Sequence, residues 1–387
     1  DEKTNGISRL FSDVLMQGTS SRSAEWLSEK TESRGILLGS FSGKNSFGIS
    51  LKCLKEDFGF SLDIVSDILN NAVFPEKELQ LSKEQQLAAI RTREDDIFAV
   101  ASKELIKTIF ISHPYGMPDL GEIGSVSSLG RADLLGYYKR YAVPENMVVS
   151  VFGDIDAAAQ RKVEEAFGGL KKSAFKDIVT ISEQEQLAPR KDVKEMHKEQ
   201  AVLMLGYPGV DVKNPDRYAL DVINSILSRE GGRLYMDIRE KLGLSYTLGS
   251  FSVFGLDPGY NAFYVATTSK NIPDARNIIL SHIRSLKAEG PTQEEMELAK
   301  SDLLGGYFRG IEVNSDVALK AALDELYGVG YDDVFKYPEM IKAVNAQEVM
   351  RVAKRYFIDS RLNEVVVAPA AVPAKAKGRP LVGAGVR

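Results

Sequence analysis

The chain has 387 residues, 44% hydrophobic and 27% charged, with 49 Lys and Arg against 54 Asp and Glu for a net charge of −5. That length and apolar content suit two globular domains of about 190 residues, each able to bury its own core. Interleaved, nearly balanced charge excludes a nucleic-acid surface, one cysteine excludes a disulfide framework or a cysteine metal cluster, and no run approaches the ~18 apolar residues of a membrane helix.

In chain order, residues 6–15 have helical spacing, with Leu10 and Val14 one turn apart, and residues 20–33 read as a second helix. Residues 36–54 read as a β-hairpin across Gly43–Asn45, whose apolar second strand should bury Cys53 as an inert thiol. Helices are expected at 58–69, at 76–93 (long and heavily charged) and at 100–110, followed by an HPYG turn at 113–116. A helix at 131–141, a strand at 147–152 and a helix at 157–166 capped by Asp156 complete the first half.

Residues 168–200 are rich in lysine and glutamate and read as a connector. The second half opens with a strand at 201–206 and a helix at 216–227, and continues after residue 251 with a helix at 273–286. Thr292 with Glu295, and Asn345 with Glu348, have the spacing of capping boxes for two further helices. The tail, residues 370–387, is low-complexity.

The stretch 231–251, GGRLYMDIREKLGLSYTLGSF, organises the second half. Leu234, Ile238 and Leu242 make an apolar helical stripe, Gly243 is placed as a left-handed cap, and the chain then turns β-like with Tyr246 and Leu248 on one face. Arg239 and Tyr246 therefore flank a helix–strand junction where two long side chains can converge. On residue types alone, Arg239 reads as a solvated helix-end cation and Tyr246 as a half-buried strand tyrosine.

This stretch has a counterpart. LGSF occurs at 38–41 and again at 248–251, 210 residues on, each time after a helix-like segment and before a second strand. KRY occurs at 139–141 and at 354–356, 215 residues on, each time closing a helix ahead of a β-branched run. Two pairs in one order at nearly one offset indicate a duplicated domain.

Histidine is scarce. His113, His197 and His282 are the three in the chain, no two of them within a helical turn, so no helix offers paired imidazoles to a metal. His282 falls on an apolar helix face and reads as a core histidine with a partner. No nucleophile elbow, P-loop or dinucleotide fingerprint is present.

The duplicated layout, REKLGLSY at 239–246, SHPYGMPDLG at 112–121 and YYKRYAVPENMVVSVFGDID at 137–156 together resemble the pitrilysin family of inverted-motif zinc metallopeptidases. That family includes insulin-degrading enzyme, the mitochondrial processing peptidase and bacterial two-subunit relatives. The resemblance extends to about residue 369 and implies an α+β fold of two tandem homologous domains, at 1–167 and 201–369, each a mostly antiparallel sheet packed with helices. Two such pairs of domains would close around a chamber.

The family's zinc helix carries H-x-x-E-H shortly before a Gly-Thr, and Gly18-Thr19 sets the register here. Arg9, Ser12 and Asp13 then stand where the two histidines and the catalytic glutamate belong, and Ala89 where the third ligand is expected. The resemblance implies no metal in this chain, no unaided peptide hydrolysis, and zinc in a catalytic partner. Arg9 and Asp13, four apart on a helix, are expected to pair. Arg239 and Tyr246 match the family's substrate-contacting pair. In the family a pair of strands precedes the zinc helix, whereas Asp1 here stands almost directly before it: either the first sheet is short by those strands or they are missing from this sequence, in which case an exposed edge would invite aggregation.

The expectation is a zinc-free, substrate-binding subunit or C-terminal half, with a peptide substrate and a homologous H-x-x-E-H-bearing partner. The alternative is a purely structural member, like the core proteins of a respiratory complex. The mitochondrial glycine-rich loop is absent, residues 228–232 standing in its place, which suits a bacterial cytoplasmic or periplasmic setting.

Overall fold

The computed structural model describes residues 2–170 and 181–370. The first half contains α1 (Ile7–Leu15), α2 (Ala24–Glu32), β1 (Leu37–Ser42), β2 (Phe47–Lys52), α3 (Phe58–Asn71), α4 (Glu76–Asp95) and α5 (Ile97–Ile109). It continues with α6 (Ile123–Ser128), α7 (Arg131–Tyr141) and α8 (Ala157–Gly168). The second half runs through β3 (Arg190–Met196), β4 (Ala201–Pro208), α9 (Asp216–Ser228), a π-helix (Tyr235–Lys241), β5 (Thr247–Val253) and β6 (Tyr260–Thr267). It ends with α10 (Ile272–Ala288), α11 (Gln293–Arg309), α12 (Asn314–Leu326), α13 (Asp333–Ala343), α14 (Ala346–Tyr356) and β7 (Asn363–Pro369). The fold is α+β, as the sequence implies.

β4 lies at the centre of a five-stranded sheet of order β3-β7-β4-β6-β5. It is antiparallel to β6 and β7, β5 is antiparallel to β6, and β3 alone runs parallel, beside β7. β4 reads AVLMLGY without polar alternation because both of its faces are covered. Leu203, Leu205 and Tyr207 pack with Val222 of α9, Ile279 of α10 and Val352 of α14. Val202 and Met204 point the other way, under Val100 and Leu105 of α5.

That second contact crosses between the halves. A Cβ on Gly206 would stand 2.8 Å from Leu105 Cδ1 and 2.9 Å from Ile109 Cδ1, so glycine is what lets α5 lie this close to the sheet. In return α12, from the second half, lies against β2 of the first.

The duplication is visible in the packing. α1 contacts β1, α4 and α7, and α9 contacts β5, α11 and α14 in the same order. KRY closes both α7 and α14, and LGSF falls in both β1 and β5. The expected caps form: Asp156 accepts from Ala159 N–H, and both capping boxes close reciprocally.

The halves differ in their sheets. The first half has only the β1–β2 hairpin, and residues 147–152, expected as a strand, join no ladder among the described residues. β3 lies inside the 168–200 stretch read as a connector; as an edge strand it buries little and carries RKDVKEM, a charged pattern that hides a strand. Cys53 is half-buried, not fully enclosed, since it follows the end of β2. The tail from residue 371 lies outside the described residues.

Because α5 joins the two halves, Leu105→Ala is expected to lower stability by about 2–5 kcal/mol. Urea denaturation should show both halves shifting together in one transition. Two separated transitions, or a shift in only one half, would contradict the shared core.

Candidate functional site

α1 is held as a structural helix. Leu10, Phe11, Val14 and Leu15 are buried, and the Phe11 ring stands 5.0 Å from the rings of both Phe47 and Tyr137. Ser12 is buried and its hydroxyl donates to the Phe41 carbonyl at 2.9 Å. Arg9 Nε donates to Asp13 Oδ2 at 2.9 Å, on the helix's wet side. Burial raises the Asp13 carboxyl above its usual value, outweighing the lowering pull of Arg9.

This donor set does not suit zinc. A guanidinium offers only N–H donors, the Ser12 oxygen is already engaged with β1, and a lone carboxylate paired with arginine does not make the three ligands a catalytic zinc needs. Among the described residues no group of three His, Cys, Asp or Glu could hold a metal ion.

Ala89 is exposed on α4. The inward polar residue is Gln86, whose Nε2 donates to Gly6 O at 3.0 Å and Leu120 O at 2.7 Å. The buried stripe Leu79, Ser82, Gln86, Ile90 marks the inner face of α4, and Ala89 lies off it.

Arg239 and Tyr246 do converge. Arg239 lies in the π-helix, and its guanidinium carbon stands 4.8 Å from the ring centroid of Tyr235 and 5.6 Å from that of Tyr246. The Tyr246 side chain is 83% exposed, so the pair presents its donors to solvent. Tyr246 is not a half-buried strand residue. β5 begins at Thr247, and Tyr246 sits on the bend before it.

Ser245 and Thr267 make that bend. The buried Ser245 hydroxyl reaches the carbonyls of Ala266 (2.7 Å) and Thr247 (2.9 Å) and accepts from Thr247 N–H, while Thr267 donates to the Leu244 carbonyl. Gly243, at φ +59°, closes the helix as expected. Leu242 is exposed, although Leu234 and Ile238 are buried as read. The wider π turn rotates it off the stripe, and Leu244 packs against the core in its place.

The π-helix is tied to α10 through Asp237, which meets His282 Nε2 at 2.8 Å and Lys241 Nζ at 2.7 Å. Burial raises the Asp237 carboxyl, but its hydrogen bonds to Lys241 and His282 bring it below its usual value. Burial likewise pushes the His282 imidazole below its usual value, against the pull of Asp237.

Beside this pair runs β5, the outermost strand, with no strand on its free edge among the described residues. Its sequence, TLGSFSV, carries no charge, unlike β3 at the opposite edge.

Family comparison agrees with this architecture. The family model described as insulinase (peptidase family M16) matches residues 1–121, and the one described as the peptidase M16 inactive domain matches residues 128–303. The chain belongs to peptidase family M16. The "uncharacterized zinc protease YmxG" of Bacillus subtilis is 27% identical over 92% of this chain and 86% of its own. A Rickettsia bellii protein, also named an uncharacterized zinc protease, is 26% identical over 93% and 87%. A protease from Helicobacter pylori shares the fold with TM-score 0.86 at 20% identity, covering 95% of this chain and 91% of that one. A peptidase M16 inactive domain from Pseudomonas fluorescens does so with TM-score 0.83 at 21% identity, covering 95% and 89%. Within this M16 chain, the positions read as the zinc motif are Arg9, Ser12, Asp13 and Ala89.

The lowered imidazole of His282 has a consequence for acid stability. Above its usual value of 6.5 it is neutral in both folded and unfolded chains, and the folded state loses nothing. As pH falls through 6.5 the unfolded chain takes up the proton first, so stability drops until the folded imidazole is protonated too. Asp237 acts in a separate window, below its usual 3.8. Urea denaturation at about pH 7.5 and about pH 5 should therefore show a smaller acid loss in His282→Gln than in the parent, and equal losses would refute the assignment.

Proposed function

We propose that this chain is the zinc-free, substrate-holding member of an M16 peptidase assembly. It closes the chamber against a homologous subunit or half that bears H-x-x-E-H. The observation that carries this reading is the exposed Arg239–Tyr246 pair at the end of an open, uncharged strand edge.

Both side chains end in N–H or O–H donors. Stacked, they aim two kinds of donor at one region, where they hold the carbonyl of a peptide and stabilise the negative charge its oxygen acquires under attack. The β5 edge supplies backbone donors and acceptors at strand spacing, so an extended peptide joins the sheet as an added strand. The rigid bend at Ser245 fixes the tyrosine relative to that edge. The zinc and the water it activates belong to the partner.

The test is peptide cleavage by a mixture of this chain with an H-x-x-E-H-bearing M16 protein. Activity should rise on mixing, and Arg239→Ala or Tyr246→Phe should each reduce it by about 10²-fold, since each removes one donor to the developing oxyanion. No gain on mixing, with both variants indistinguishable from the parent, would leave the structural member as the correct reading.

A further inference from the structure

LGSF occurs in both β1 and β5, but its glycine meets a different partner in each. In the first half Gly39 pairs with Ser50 of β2. In the second, Gly249 pairs with Tyr264 of β6, and a Cβ at Gly249 would stand 2.6 Å from the Tyr264 hydroxyl and 2.7 Å from its Cζ. The glycine therefore lets the tyrosine lie over β5, toward the free edge of the sheet. Gly249 is the one buried residue of that edge strand.

Neighbouring rings hold Tyr264 in this pose. Phe98 of α5 stands edge-on to it with ring centroids 4.9 Å apart, and Phe251 flanks it at 6.2 Å. The ring is engaged, whereas the hydroxyl of this half-buried tyrosine makes no hydrogen bond among the described residues. Packing alone asks only for the ring: an aromatic laid over an edge-strand glycine compensates for the missing side chain, and phenylalanine does so equally well. The hydroxyl is the part that packing leaves unexplained.

We propose that Tyr264 is a specificity-determining residue for the peptide that joins β5. It selects a short side chain ending in an oxygen acceptor, asparagine or aspartate, at the peptide position opposite Gly249. The inference rests on the peptide-receiving reading of the β5 edge. Adjacent strands lie about 4.8 Å apart and directly opposed side chains share a face, so the peptide residue beside Gly249 projects on the same side as Tyr264. Gly249 puts no side chain between them. The tyrosine hydroxyl then donates to the amide or carboxylate oxygen, a bond that leucine, of nearly the same shape, forfeits. Gly249 follows Tyr246 by three residues, about 10 Å of strand, so the selected residue lies that far from the carbonyl held by Arg239 and Tyr246.

The probes are fluorescein-labelled decapeptides of alternating Thr and Val, blocked at both ends, with a single Asn or Leu scanned through every position. Affinity for the chain is read by fluorescence anisotropy, and the place of binding by hydrogen exchange at residues 247–253. At one position Asn should bind about fivefold tighter than Leu, the worth of one hydrogen bond. Tyr264→Phe, which keeps the ring, should remove that preference, and so should Gly249→Ala, whose Cβ must displace the hydroxyl. Slowed exchange at 247–253 with equal affinity for Asn and Leu at every position overturns the inference and leaves the strand-edge reading standing, as does a preference that persists in Tyr264→Phe. If no peptide slows exchange there, the strand-edge reading fails and this inference falls with it.

Discussion

The close approach of α5 to Gly206 is the constraint from which the rest of this molecule follows. With no side chain at that position, Leu105 and Ile109 come down onto β4 and seal the sheet face that the second half's own helices do not cover. A sheet buried on both faces needs its most apolar strand in the middle, which is where β4 stands. β3 and β5 are thereby left at the two edges, and they answer exposure differently. β3 is protected by charge, as edge strands usually are, whereas β5 is short of any charge and keeps its edge available. The crossing helix thus does more than join two repeats: it decides which strands stand at the edges of the sheet.

The Arg239–Tyr246 arrangement depends on a departure from regular geometry. In a plain α-helix Leu242 would complete the buried stripe, and the chain would leave the helix one residue later in phase. The π turn takes up an extra residue, Leu244 becomes the buried anchor, and the Ser245 hydroxyl then bridges to β6. Tyr246 is expelled from the sheet as a result and comes to rest against the guanidinium of Arg239. π segments cost hydrogen-bond geometry and persist where something is gained, and here the gain is a convergent pair of donors.

Much of this was legible from pattern. Helical spacing, two capping boxes and the LGSF and KRY pairs locate most of the helices and the equivalence of the two halves, because those features are local. What pattern could not show was decided by contacts between distant segments. Residues 147–152 have a β-branched sequence but no strand paired with them among the described residues, and propensity alone does not make a ladder. β3 looks like a linker because an edge strand exposes most of its side chains. Gln86 was not singled out because its role is to bond two distant carbonyls, those of Gly6 and Leu120, which no local pattern announces.

The packing of α1 shows which of its faces holds the fold. The Arg9–Asp13 pair is worth only about 0.2–0.5 kcal/mol as an exposed helical pair, too little to hold the helix. What holds it is the opposite face, where Leu10, Phe11, Val14 and Leu15 are all buried and Ser12 is tied to β1. Burying one such large side chain contributes about 1.5–3 kcal/mol, several times the ion pair. Residues on the wet side, such as Arg9 and Asp13, are therefore free to change while the packing that orients α1 against the hairpin is kept. The same division holds in the second half, where α9 is packed in the equivalent place and the Arg239–Tyr246 pair lies on the π-helix and the bend beyond it. A scaffold whose stability resides in one face of each helix leaves the opposite face free to vary.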